Sequence, residues 1–257
     1  MIRLHEVDAQ SRGDFLLQTL DARAKVIVTI AYIAVVLSFS LTSFSGILLF
    51  AVFPIVSASM SGISYGQVFL RSMIALPFIA FVGIFNPIFE REPMLVAGDL
   101  TISRGWVEFL SIMLRGVLTV QAALLLIAST GFQRVCRALG CLGVPQIFTT
   151  QLMLIYRYIY VLINEAIRMD RARRSRSYGR RHYDLSMWAT FVGQLLVRSV
   201  GRAERIHRAM LARGFDGHVR ILGHLRWSST DTAYCILWIG LFIAGRFFDL
   251  SSVLKFL

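Results

Sequence analysis

"VPQIFTTQLMLIYRYIYVLINEA", residues 144–166, is apolar enough to pass for a membrane span, and the fold turns on whether it is one. Two arginine-rich stretches follow it, "RARRSRSYGRR" at 171–181 and "RAMLARGFDG" at 208–217. A crossing at 144–166 would need a second crossing to keep both on one side, and no partner stretch is available. The apolar residues of 144–166 and its continuation also form a stripe. Ile155, Ile159, Leu162, Ala166 and Met169 recur at steps of 4, 3, 4 and 3, while Arg157, Asn164, Arg168 and Arg171 fall away from it. That is one face of an amphipathic helix. We read one long helix over about 145–178, ended by Gly179.

A second helix of the same kind is expected over 185–214. Val192, Leu196, Val200, Ala203, Ile206 and Met210 make its apolar stripe, and Arg198, Arg202, Arg205 and Arg208 make a basic one opposite. Gly214 ends it. Asp170 and Arg174 form an acid-before-base pair four residues apart, which supports the first helix. A short helix near "FQRVCRAL" (132–139) precedes both, broken by "GCLGVP".

Outside this region the chain is that of a membrane protein. Of 257 residues, 56% are hydrophobic and 16% charged, and the mean hydropathy is +0.64; a soluble domain carries about 25% charged residues. The net charge of +12 is uneven. Residues 134–226 hold 17 arginines and five acids, so 17 − 5 = +12, and the remainder nets zero. Only Lys25 and Lys255 are lysines. Arginine suits planar, bidentate contacts, although a high-GC genome would also enrich it. Cys136, Cys141 and Cys235 have no metal-ligand spacing and give no disulfide framework, so they read as buried thiols.

Five stretches qualify as spans by length and hydropathy: 26–44, 45–60 (with Pro54 as a kink), 68–89, 106–130 and 232–248. The first is preceded by four acids and lacks the form of a signal peptide. Glu108 and Arg115 lie two turns apart in the fourth, where an internal pair or snorkelling is expected. Basic residues place the N-terminus inside, the balanced loop at 90–105 outside and 134–226 inside, leaving the C-terminus outside. The expected fold is all-α and polytopic. It has a membrane bundle over 1–131, a cytoplasmic domain of long amphipathic helices over 132–226, and a C-terminal transmembrane helix over 227–257.

Catalytic motifs are missing from the sequence. Neither lysine follows a glycine, so there is no P-loop. "HEVDA" (5–9) lacks the second histidine of a zinc motif, and there is no G-x-S-x-G. His182, His207, His218 and His224 flank the basic helices; a His218/His224 metal site competes with the commoner solvated histidine. Two small-Arg-small triplets remain, Ser175-Arg176-Ser177 and Ala212-Arg213-Gly214. Each arginine could be a docking tip whose small neighbours admit a partner's surface. The basic faces could equally be drawn to anionic lipid, and arginine at a helix C-terminus also suits the dipole. Too few aromatics interleave the arginines for a nucleic-acid surface.

"YRYIYVLINEAIRMDRARRSRSYGRR" and "VGQLLVRSVGRAERIHRAMLARGFDGHVR" strongly resemble the transmembrane T component of energy-coupling-factor (ECF) transporters, in its CbiQ type from cobalt and nickel uptake systems. "LDARAKVIVTI" and "LGVPQIF" fit the same family, and the resemblance spans most of the chain. It implies a subunit without catalysis or cofactor, in the inner membrane of a bacterium. Its implied partners are two ABC-type ATPases, a CbiM-like substrate-binding membrane subunit and a small accessory membrane subunit. Two coupling helices ending in Ala-Arg-Gly-like signatures dock in the ATPases. Carried over, the signatures fall on Ser175, Arg176 and Ser177 and on Ala212, Arg213 and Gly214, supported by Arg171, Arg174, Arg205 and Arg208. The first signature has two serines in place of Ala and Gly, and Arg174 rivals Arg176 for its register. A T component for a vitamin would share this coupling logic, and a lipid-binding scaffold would share the basic faces.

Overall fold

The computed structural model describes residues 16–39, 44–89, 93–97, 100–176, 184–217 and 227–247. It is helical apart from one short hairpin, and it divides into two compact units: Met1–Ala138 with His224–Leu257, and Leu139–Gly223.

In the first unit, α1 (Leu16–Thr19) leads to α2 (Ala22–Ser38), whose N-cap Asp21 accepts a hydrogen bond from the Arg23 amide. The next two expected spans are segmented. The second is α3 (Phe44–Phe50) and α4 (Val52–Ser61). The third is α5 (Tyr65–Ser72), a 3-10 turn at Met73–Ala75, α6 (Leu76–Gly83) and α7 (Phe85–Phe89). A proline clashes with the carbonyl four residues before it and withholds its own N–H. The breaks follow that rule: Pro54 lies four residues after Phe50, Pro77 four after Met73, and Pro87 four after Gly83. Pro54 therefore does not kink a helix in its middle. It sits in the first turn of α4, among N–H groups that have no intrahelical partner anyway. α8 (Arg104–Thr130) contains no proline and runs unbroken for 27 residues. Between α7 and α8, in the stretch read as a plain loop, β1 (Pro93–Ala97) pairs antiparallel with β2 (Leu100–Ser103), Ala97 opposite Leu100. α9 (Phe132–Cys141) follows α8, and α12 (Ser229–Phe247) returns the chain to this unit.

Side-chain contacts fix the direction of every long helix in the bundle. The Asp21 amide donates to Asp231 Oδ1 at 2.8 Å, and Arg246 Nη2 donates to the Ser38 carbonyl at 3.4 Å with its guanidinium 4.8 Å from the Phe39 ring centre. So α2 and α12 are parallel and are tied at both ends. α3 and α4 run the other way: Gly46 lies under the Phe39 ring, Tyr32 Oη donates to the Phe50 carbonyl at 3.0 Å, and Ser57 shares a small cavity with Lys25. α8 also opposes α2, with Arg115 Nη1 on the Phe39 carbonyl at 2.9 Å and Ser129 in the cavity beside Lys25. α5–α7 oppose α8 in turn. Tyr65 Oη donates to Gln121 Oε1 at 3.2 Å, and Asn86 Nδ2 donates to Glu108 Oε2 at 3.3 Å. At Gly116, midway between, a Cβ would stand 2.7 Å from Ile79 Cδ1, so only glycine lets α6 and α8 approach. Directions alternate along the chain. Asp21, Thr130 and Asp231 consequently share one end, where α8 finishes and α12 starts.

Tyr32, Phe50, Phe53, Trp238 and Phe242 form the centre of the core, Tyr32 stacked on Phe53 at 4.5 Å. The outside is apolar too: Leu70, Ile74 and Phe78 are 70–79% exposed. Tyr65–Pro87 and Arg104–Thr130 are long and apolar enough to cross a membrane, and only 17% and 33% of their apolar windows are buried. Helices of that hydropathy inside a soluble protein would be mostly covered; these face outward. The protein is an all-α membrane protein. Glu108 and Arg115 are buried: Glu108 takes Arg104 and Asn86, and Arg115 takes the Phe39 carbonyl.

The second unit is built on α10 (Gln146–Arg176) and α11 (Leu185–Leu211). The expected helices at 145–178 and 185–214 are present with slightly shorter bounds; Ser177 and Gly179 lie outside the described residues. Asp184 caps α11, its carboxylate accepting from the Leu185 amide at 2.8 Å.

Candidate coupling helices

α10 and α11 run in opposite directions. Arg173 Nη1, near the end of α10, reaches Met187 Sδ at the start of α11 at 3.3 Å. Farther back, Glu165 meets Arg198 and Arg202. Residues 151–162 then face residues 199–215 across a groove of about 590 Å³. The C-terminal tips of the two helices, Arg176 and Arg213, therefore lie at opposite ends of the pair. The groove walls are the two stripes read from the sequence: Ile155, Ile159 and Leu162 on one side, Val200, Ala203, Ile206 and Met210 on the other. Gln151, Tyr158, Ser199, Arg202 and His207 are the polar residues of its lining.

The second signature has a definite conformation. The Phe215 amide donates to the Met210 carbonyl and the Gly214 amide to the Leu211 carbonyl, each at 3.0 Å. Gly214 has φ +78°. This is a Schellman helix end, in which glycine takes the left-handed position and an apolar residue beyond it packs back on the helix. Phe215 and Met210 both line the groove, as that motif requires. Ala212-Arg213-Gly214 thus means a helix end held to the groove with one long cation at its last turn. All three residues are exposed.

The first signature differs. α10 is helical through Ser175 and Arg176, both exposed, and Ser175 Oγ donates to the Arg171 carbonyl at 3.1 Å. Ser177 lies outside the described residues. Arg174 is drawn back by Asp170, at 2.6 Å, with Arg173 on the other carboxylate oxygen at 3.4 Å; this is the acid–base pair expected from spacing. Arg208 likewise pairs with Glu204 of its own helix at 3.3 Å. Arg171 and Arg205 are exposed. Of the arginines proposed to support docking, two are thus engaged within their own helices.

Sequence reading missed Glu165. Its carboxylate accepts from Arg198 Nη1 on Oε1 at 3.2 Å and from Arg202 Nη2 on Oε2 at 2.7 Å, with Arg168 Nη2 at 3.5 Å. The hydrogen bond from Arg198, reinforced by the charges of Arg168 and Arg202, lowers its pKa below the usual glutamate value. The available signal was one acid facing a basic stripe, legible only with the pairing of the helices in hand. The Asp21–Asp231 tie was equally hidden, its residues being 210 positions apart.

Among the described residues no group of three or more His, Cys, Asp or Glu side chains is placed to hold a metal ion. Cys136 is buried, and burial pushes its thiol pKa up. His182, His218 and His224 lie outside the described residues. What the second unit can do chemically is present arginines toward both ends, with Arg176 and Arg213 about thirty ångströms apart by helix length, on a pair of rods joined by an ion cluster and an apolar groove.

The chain is 25% identical over 236 residues, 87% of its length and 80% of the relative's, to the uncharacterized protein MJ1571 of Methanocaldococcus jannaschii. It is 33% identical over 92 residues, 35% of each chain, to the cobalt transport protein CbiQ of Rhodobacter capsulatus. The family model for the cobalt transport protein CbiQ matches residues 13–225, which include the helices of the bundle as far as α9 and both arginine helices. This chain therefore belongs to the CbiQ family of cobalt transport proteins and is a membrane component of cobalt transport.

Proposed function

We propose that this chain is the transmembrane coupling subunit of an ATP-driven importer of ECF type for a transition-metal ion, cobalt first and nickel next. In this reading two ABC-type ATPases receive Arg176 and Arg213. A CbiM-like membrane subunit, with a small accessory one, carries the ion. The chain itself neither hydrolyses ATP nor holds the metal or any cofactor. The bundle sits in the inner membrane of a bacterium with five crossings, and the N-terminus and residues 132–226 are cytoplasmic. The alternating helix directions favour that topology, because both connections to the arginine helices leave one end of the bundle. Closure of the ATPases would draw the two arginine tips together and turn the helices.

The observation that carries the reading is that Arg176 and Arg213, both exposed, lie at opposite ends of an antiparallel helix pair. Two separated tips suit two copies of a partner.

Copurification tests it. Candidate ATPase subunits are coexpressed with wild type, Arg176→Ala, Arg213→Ala, the double variant, and a charge-matched Arg157→Ala/Arg226→Ala control. The expected result is loss of ATPase in the double variant by at least about tenfold, as when buried interface arginines are truncated, with the control unaffected. Graded loss that follows total charge would favour the lipid-binding scaffold. Uptake of a vitamin in place of Co²⁺ by the assembled complex would move the chain to the vitamin class.

A further inference from the structure

We propose that Glu165 is the positioning residue that sets the angle between the two arginine helices and hence the separation of Arg176 and Arg213. Its role in transport rests on the coupling function proposed above; its role in the helix pair does not. Three observations support it.

Glu165 holds α11 at two points one turn apart, Arg198 on one carboxylate oxygen and Arg202 on the other. Apolar stripes attract without direction, so they leave two rods free to slide and rotate. A carboxylate shared between two guanidinium groups is directional, and it fixes register and angle together. The Glu165 side chain is only 12% exposed, so water competes weakly for it.

Both signatures also stand within a few turns of this junction, on opposite sides of it. Counted from the nearer contact, Arg176 follows Glu165 by 176 − 165 = 11 residues and Arg213 follows Arg202 by 213 − 202 = 11; from Arg198 the count to Arg213 is 213 − 198 = 15. At 1.5 Å per residue each arm is roughly 16 Å long. Because the helices are antiparallel, the arms point in opposite directions, and a rotation of about 10° at the junction moves each tip about 3 Å at that arm length. Arms of comparable length move both tips together, which suits two copies of one partner.

Finally, the pair has room to turn. On the Arg213 side of the junction, residues 151–162 and 199–215 are separated by the open groove rather than by interlocked side chains. An ion cluster beside an unfilled groove holds one angle while permitting others.

The test uses spin labels at Ala172→Cys and Ala209→Cys, both exposed, in the full chain with Cys136, Cys141 and Cys235 replaced by serine. Distances are measured with and without bound ATPases, and Co²⁺ uptake per ATP hydrolysed is measured in the same complexes. Glu165→Gln is expected to broaden the label distance and to lower uptake per ATP by about tenfold, with ATPase binding retained. A triple exchange, Glu165→Arg with Arg202→Glu and Arg198→Gln, rebuilds one ion pair with reversed signs. It restores the narrow distance if the junction acts through geometry, and it separates that cause from misfolding. An unchanged distance in Glu165→Gln overturns the proposal. A broadened distance with unchanged uptake per ATP overturns its role in coupling. If wild type binds no ATPase, the coupling function itself fails, and the label distances still decide the junction.

Discussion

The two units of this protein bury their residues very differently. The bundle has a contiguous aromatic core around Tyr32, Phe53 and Phe242. α10 has only Thr149 and Thr150 buried, and α11 has none. Yet both arginine helices carry apolar faces, and Ile147, Trp188, Leu196 and Val197 are exposed. A bundle with a core of its own is a scaffold. The helix pair is held by an ion cluster and an open groove, and soluble surfaces rarely leave so much apolar area uncovered.

Substitutions can break that contrast. The largest effect is expected at Asp231, which is buried and accepts from the amides of Asp21 and Ser228, each at 2.8 Å. Asp231→Ala strands both donors and should destabilise the bundle by about 3 kcal/mol, read by thermal unfolding in detergent. Phe242, 1% exposed, comes next. In lipid the removed ring would lie in hydrocarbon either way, so what remains is the cavity. Phe242→Ala should cost about 2 kcal/mol in the same assay. Leu196, 62% exposed on α11, is the counterpart. Leu196→Ala should change the stability of the isolated chain by less than about 0.5 kcal/mol. A large loss there would mean that the second unit has a core of its own.

The smallest effect is that of pH on Glu165. Its folded-state pKa is depressed, chiefly by the hydrogen bond from Arg198. Its contribution is therefore present above the ordinary glutamate pKa of about 4.3 and is lost as the pH falls through the lowered folded value. Label distances between α10 and α11 should stay constant from neutral pH down to that range and broaden only below it. Broadening near neutrality would assign the junction to another group.

Much of this was legible in the chain. The periodicity of 144–166 marked an apolar helix face, because a 3.6-residue repeat is local, and Ile155, Ile159 and Leu162 of that face line the groove. The prolines fixed the breaks in the second and third apolar stretches, since each disturbs a carbonyl four residues back; the stretches read as single spans are segmented for that reason. The helix end at Gly214 was visible because a left-handed residue needs glycine. The second signature closes its helix at Gly214, and the first is helical through Arg176, the last described residue of α10.

The sequence by itself determined which segments are helical, which faces are apolar, where the charge lies and to which family the chain belongs, because these depend on residue types at short range. Only the tertiary structure decided that α2 and α12 are parallel and tied at both ends, that α10 and α11 are antiparallel so that their arginine tips lie apart, and that Glu165 joins them. These depend on pairings between residues 33 to 210 positions apart, and hydrogen bonds and ion pairs at such separations leave no period in the chain.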